Sequence, residues 1–268
     1  GLSFADIVPL WLVLGRHAVP CPVGETMIAR ALLAQAGRAA PDGPIAIAAQ
    51  APGAAGRVIG AALARHLLVE WEGNLYLAAV PGQADGGAGQ LAASVRWDSA
   101  TAAPVGSMAP GGLRRAAAVL RAALIAGAAD RLTTMTADYA NQRIQFGKPI
   151  GKQQALQQQL AVMAEDMVAA RIAAHIGGAG SFPPALAAAA TAKSVASSAA
   201  ARVAAIAHAV HGAIGISEEY DLQLYTRRLQ AWRLADGSES YWNRLLGAER
   251  LAAPSGSVDF VRTALAPA

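Results

Sequence analysis

Three long stretches of helical periodicity in the second half of the chain set the limits on its fold. From Gly111 onward Leu113, Leu120, Leu124, Leu132, Met135 and Tyr139 recur at spacings of three, four and seven or their sums, which lays one apolar stripe along a helix. A second stretch runs from about Lys152 to Ile176 and a third from about Ala185 to Val210. Gly177, Gly178, Gly180 and the pair Pro183-Pro184 break the chain between them. Shorter helices are expected at about Glu219–Leu229 and Ser238–Leu251. Four or five helices of this length predict a bundle. Alanine dominates the third stretch and loses no side-chain entropy on ordering. Aromatic residues make up only 5% of the chain, so these helices must pack closely on small side chains.

The first half reads differently. Asp6 to Leu14 has helical spacing with Gly15 as its stop, and a second helix follows Gly24-Glu25-Thr26 through Leu33 to Gly37. Between residues 41 and 106, prolines and glycines punctuate short apolar runs. Ile45 to Ala49, Leu67 to Trp71, Leu75 to Val80 and Leu91 to Trp97 read as strands, with a hairpin turn at Glu72-Gly73-Asn74. Gln83 to Gln90 is a Gly-rich linker without the strand-then-helix context of a phosphate loop. The expected fold is mainly α with a small β domain: a helical segment over 1–40, a short barrel-like β domain over 41–108, and a C-terminal four-helix bundle over 109–268.

Charge and cysteine usage narrow the function classes. The net charge of +4 suits a phosphate-bearing partner, or solubility alone, and no basic run carries interleaved aromatics, which argues against nucleic acid. A single cysteine, Cys21, excludes an internal disulfide and points to a reducing cytoplasm; within Val19-Pro20-Cys21-Pro22 it reads as a packing residue. No membrane span is expected, because Ile7 to Leu14 is short and contains Pro9, and Ala116 to Ala129 is interrupted by Arg121. No basic segment precedes an apolar one at the start, so no signal peptide is expected. His208 and His211 lie three apart without further ligands at metal spacing, so no metal site is expected.

Arg143 stands where a helix gives way to Gly147-Lys148-Pro149. A guanidinium there can grip a pyrophosphate through charge-assisted hydrogen bonds, and Phe146 beside it can pack on a flat ring. The same residues also suit an ordinary helix end, with Arg143 facing the dipole and Gly147 closing the turn. His211-Gly212-Ala213-Ile214-Gly215 offers a turn that lets backbone approach a ligand, or an ordinary helix break.

The run Tyr139-Ala140-Asn141-Gln142-Arg143-Ile144-Gln145-Phe146-Gly147-Lys148-Pro149-Ile150 resembles the acyl-CoA dehydrogenase signature, in which a long helix ends in Arg-x-x-Phe-Gly and a second opens on a Gln-rich turn, here Lys152-Gln153-Gln154. Ala192-Lys193 and the run from Ala207 through His211 to Tyr220, then Tyr225-Thr226-Arg227-Arg228, are similar to later family segments. The resemblance covers about 110–230 well and 1–106 loosely. It implies FAD as cofactor, held across a subunit interface by Arg143, Gln145, Phe146, Gln154, His211, Gly212 and Gly215. It also implies an acyl-CoA substrate and an electron-transfer flavoprotein as acceptor.

Departures from the family pattern matter as much. The family's common base, a Glu before Gly-Thr, corresponds here to Asp236 in Leu234-Ala235-Asp236-Gly237-Ser238, one methylene shorter. Asp236 could equally cap the helix starting near Ser238. The alternative base position on the first long helix falls near Ala117, which has no carboxylate. Ala209 and Ala213 replace a usual Gln and Gly, the β segment lacks the usual flavin-facing strand, and the family's first three helices do not precede the chain as given. These losses imply one subunit of a heteromeric, α2β2-type enzyme whose sister chain supplies the base, as in bacterial members acting on steroid-derived CoA thioesters. A self-sufficient homo-oligomer using Asp236 and a flavin-free structural subunit are the alternatives.

Overall fold

The computed structural model describes residues 3–80 and 92–265. The Gly-rich linker and Leu91 therefore lie outside the described residues. The chain divides into two compact units: Pro20–Leu120 with Phe182–Pro184, and the remainder, Gly1–Val19, Arg121–Ser181 and Ala185–Ala268.

The first of these holds α2 (Val23–Gln35) and six strands: β1 (Ile45–Ala49), β2 (Gly56–Ile59), β3 (His66–Trp71), β4 (Asn74–Ala79), β5 (Ala92–Val95) and β6 (Ala103–Ser107). One sheet has the order β1-β3-β4-β6, with β1 and β3 parallel and the other pairs antiparallel; β2 and β5 form a second, two-stranded sheet. Both contribute to one core, in which Leu67, Val69, Val58, Val95 and Trp97 pack together. Trp97 meets Tyr76 at 5.2 Å between rings and donates its indole N–H to Gln50 O at 3.2 Å. The β3–β4 turn is confined to Glu72 and Gly73, both at positive φ (49° and 77°), which matches the right-handed twist of the strands it joins. α2 closes with Gly37 at φ 65°, where Gly37 N–H reaches Ala34 O and Arg38 N–H reaches Leu33 O, so the last carbonyls are satisfied. β2 and β6 escape the sequence reading because glycine and proline dilute their alternation.

Helix α3 (Gly112–Gln142) starts in this unit and is capped from a strand. Glu70 of β3, only 4% exposed, accepts N–H bonds from Gly111 and, at 2.8 Å, from Leu113. A buried carboxylate here satisfies orphan donors and complements the helix dipole.

The second unit is helical: α1 (Phe4–Arg16), α3 from Arg121, α4 (Gln154–Gly178), α5 (Leu186–His211), α6 (Leu222–Leu234), α7 (Glu239–Ala252) and α8 (Ser257–Leu265). α5 packs most extensively on α4, then on α7 and α6. Its buried face is built of Ala189, Ala192, Ala196, Ala200, Val203 and Ala207, which lets neighbouring backbones come close. Leu186–Ile216 is long and apolar enough, by length and composition, to cross a bilayer. The sequence reading did not single it out; the structure places α5 among α4, α6 and α7 as a core helix, with Lys193 fully buried on it.

Two expectations are corrected. Gly15 does not stop α1, which continues to Arg16. A Cβ at Gly15 would land on the Leu124 carbonyl, and one at Gly127 on that of Leu12, so both glycines serve the close crossing of α1 and α3. Cys21 is exposed and does not pack in a core; the next residue of its Pro-flanked turn, Pro22, is the buried one.

Candidate functional site

α3 ends at Gln142 and the chain turns at once into a two-residue hairpin, β7 (Ile144–Gln145) against β8 (Lys148–Pro149). Phe146 and Gly147 make its turn at φ 52° and 77°. Gly147 thus closes a β-turn and not the helix end. The hairpin projects its side chains outward: Phe146 is 90% exposed and Ile144 56%, and Arg143 and Gln145 are exposed. No described protein group pairs with the Arg143 guanidinium, while its backbone is fixed by Arg143 N–H to Tyr139 O and Ile150 N–H to Arg143 O, both 2.9 Å. Gln154, also exposed, is the first residue of α4.

The end of α5 meets this region from below. Ala140, Ile150 and Val210 form a small shared core, and Tyr139 Oη donates to His211 O at 3.3 Å. α5 stops at Gly212, whose φ of 62° favours glycine, and a 3-10 segment carries the chain to Ile216. Nothing lies within 4 Å of where a Gly212 Cβ would be, so backbone here is open to approach. Gly215 is the opposite case: a Cβ would stand 2.9 Å from His211 Cβ and 3.1 Å from Leu222.

His211 itself is buried. Its ring stacks on Tyr139 at 4.4 Å and leans on Tyr220 at 5.0 Å, and Nδ1 bonds Ala207 O at 2.8 Å. Burial lowers its pKa below the ordinary value and raises that of Tyr220. A cleft of 340 Å³ opens beside this stack, lined by Arg131, Met135, Tyr139, Gln142, Glu219 and Tyr220 among others. The sequence reading did not foresee the aromatic stack; its only trace is Tyr139, four residues before Arg143, and Tyr220, just past the turn.

Asp236 lies elsewhere. It sits at φ 57° between α6 and α7, and its Oδ2 accepts from Arg121 Nε at 2.9 Å. It does not cap α7, whose N-cap is Ser238. Arg121 precedes Arg143 by six turns of α3, a rise of about 33 Å. One chain therefore brings Arg143, Gln145, Phe146, Gln154 and the 211–216 turn to one end of its helical unit and holds Asp236 far from them.

A mainly helical chain with one long unbroken helix, an outward hairpin at its end and a small two-sheet unit defines an acyl-CoA dehydrogenase-like fold. Residues 113–252 match the family described as "Acyl-CoA dehydrogenase, C-terminal domain". A Mycolicibacterium smegmatis protein named acyl-CoA dehydrogenase IpdE2 is 32% identical over 246 residues, covering 85% of this chain and 73% of the relative. A Mycobacterium tuberculosis protein of the same name is 34% identical over 250 residues, covering 85% and 72%. Among solved structures, a variant of the Tcur3481-Tcur3483 steroid ACAD superposes with a TM-score of 0.74 at 23% identity, covering 93% of this chain and 82% of that one. The ChsE4-ChsE5 complex from Mycobacterium tuberculosis gives 0.72, also at 23%, covering 93% and 81%. The chain belongs to the acyl-CoA dehydrogenase family of oxidoreductases.

Proposed function

We propose that this chain is one subunit of an FAD-dependent acyl-CoA dehydrogenase that works with a sister chain of the same family in the cytoplasm. The reaction is α,β-dehydrogenation of an acyl-CoA thioester, with a bulky steroid-derived acyl group as the substrate class and an electron-transfer flavoprotein as acceptor. The observation that carries this reading is the separation of about 33 Å along α3 between Arg143 and the Arg121 that holds Asp236. A site built at the Arg143 end is out of reach of this chain's candidate base and takes its base from another chain.

The residues at the Arg143 end fit a dinucleotide. The exposed Arg143 guanidinium, unpaired among the described residues, suits a pyrophosphate, Phe146 offers a free ring face, and Gly212 leaves backbone open to close approach. Gln145 and Gln154 add exposed amide donors beside them. Ile144, Phe146 and Ile216, the last 79% exposed, are large apolar groups at the same end, as expected of a surface covered by another chain. FAD, when bound, supplies the hydride acceptor; this chain's part is to bind and orient it and to exclude water. The steroid class rests on one structural neighbour, the Tcur3481-Tcur3483 steroid ACAD, and the sister chain also on the ChsE4-ChsE5 complex.

The test is the visible spectrum of the purified chain, alone and co-expressed with a sister chain. A flavin band at about 450 nm only in the co-expressed sample supports the shared site. In that complex R143Q and F146A should lose flavin while the chain stays folded. The second reading, a self-sufficient enzyme, requires a flavin band in the chain alone, and turnover abolished by D236N with flavin retained. A sample colourless in both cases points to a structural subunit.

A further inference from the structure

Below Asp236 lies a group of buried charges that the proposed function does not use. Lys193, two turns into α5, has no exposed surface. Its Nζ donates to Arg233 O at 2.7 Å, Gly237 O at 2.8 Å and Ser197 Oγ at 3.0 Å, which occupies all three hydrogens of an ammonium. The two carbonyls flank Asp236 in sequence, so this single side chain pins both arms of the Ala235–Ser238 turn. That turn needs pinning, because Asp236 and Gly237 both stand at positive φ (57° and 106°), costly for an aspartate.

Charge on the surrounding elements completes the picture. Arg121 of α3, 1% exposed, bonds the Asp236 carboxylate. Arg233 of α6 pairs with Glu239 of α7, whose pKa the Arg233 hydrogen bonds lower. Asp166 of α4 is engaged by Arg202. Three cations, Lys193, Arg121 and Arg233, thus face two carboxylates, Asp236 and Glu239. Asp236 bonds Arg121 and its charge also favours the protonated Lys193, and removing one partner of a buried charge pair is strongly unfavourable.

We propose that Lys193 is the positioning residue of the Asp236–Gly237 turn and that Asp236 is the counter-ion of Lys193 and Arg121, not a proton acceptor for substrate. The assignment needs no cofactor or sister chain, so it stands or falls separately from the function proposed above. Burial lowers the Lys193 pKa to about 7, against the charge of Asp236, which raises it. The neutral amine keeps two hydrogens for the two carbonyls and a lone pair for the Ser197 hydroxyl, so the turn retains its partners in either state.

The test is a double-mutant cycle on the full chain with K193M and D236N, read as urea unfolding at pH 6. D236N leaves Lys193 and Arg121 without that carboxylate and K193M relieves part of the excess, so the double variant should be less destabilised than the sum of the two, by about tenfold or more in the unfolding equilibrium. Wild type should also gain stability from about pH 7 towards the ordinary lysine range near 10.5, where the unfolded chain holds a proton that the folded chain has released; K193M should show no such gain. Additive penalties overturn the assignment. If a single variant does not fold, the Lys193 ammonium resonance of the wild type at pH 6 decides: hydrogens that exchange slowly with solvent support the buried, three-bonded ammonium, and hydrogens that exchange as in a free lysine overturn it.

Discussion

At the residue scale, the chain relies on side chains, or their absence, at a few crowded points. Gly15 and Gly127 are the clearest, since each lies where a Cβ would strike backbone of the facing helix. Backbone cannot move aside as a flexible side chain can. G15A should therefore destabilise the helical unit by about 1–3 kcal/mol, measurable by urea denaturation, although alanine is the better helix former. Glu70 is the second such point. E70A leaves the N–H groups of Gly111 and Leu113, the latter buried, without their acceptor, and a loss of about 2 kcal/mol in the β-containing unit is expected. A change below about 0.5 kcal/mol would show that water replaces the carboxylate. By contrast, F146A removes a ring that touches almost nothing, so its unfolding midpoint should match wild type even as flavin retention in the complex is lost.

At the element scale, α5 shows why alanine content and burial go together here. Small side chains on its core-facing side leave no spare volume, so A196L at a fully buried position should cost about 1–3 kcal/mol by overpacking, seen as an earlier urea midpoint. The apolar run that passes for a membrane span is the same feature seen without its neighbours. Helix α3 shows the complementary case: its length makes it a ruler that separates Arg121 from Arg143, and this separation turns two sequence motifs into two different places.

At the scale of the whole molecule, burial of titratable groups ties stability to pH. His211 has its pKa lowered from 6.5, chiefly by desolvation. A depressed histidine favours the neutral form in the folded chain, so stability is fully present above about pH 6.5 and is lost as pH falls through the folded value. Unfolding of the helical unit followed at pH 7 and pH 5 should show this loss, and H211N should reduce it. An unchanged difference between the two pH values in H211N would assign the acid sensitivity to other groups. Exposed Ile144, Phe146 and Ile216 at one end of the helical unit also predict association through that face, which size-exclusion chromatography of the co-expressed pair will report.

The sequence by itself determined the helices, most strands and the family signature, because these follow from local periodicity, turn residues and short motifs. Tyr139 to Ile150 and His211 to Tyr220 could be read as two parts of one site before any coordinates, and the structure does bring the ends of α3 and α5 together. Gly15 as an internal helix residue, the exposure of Cys21 and the core position of α5 were not legible, since each depends on what packs against it. The partners of Asp236 were hidden for the same reason. Arg121 is 115 residues away and Lys193 is reached only across the packed α5, α6 and α7, so whether that carboxylate is free or committed was decided by tertiary structure alone. Local sequence fixes backbone preference within a few residues, while the burial and pairing of a charge depend on distant segments brought together by the fold.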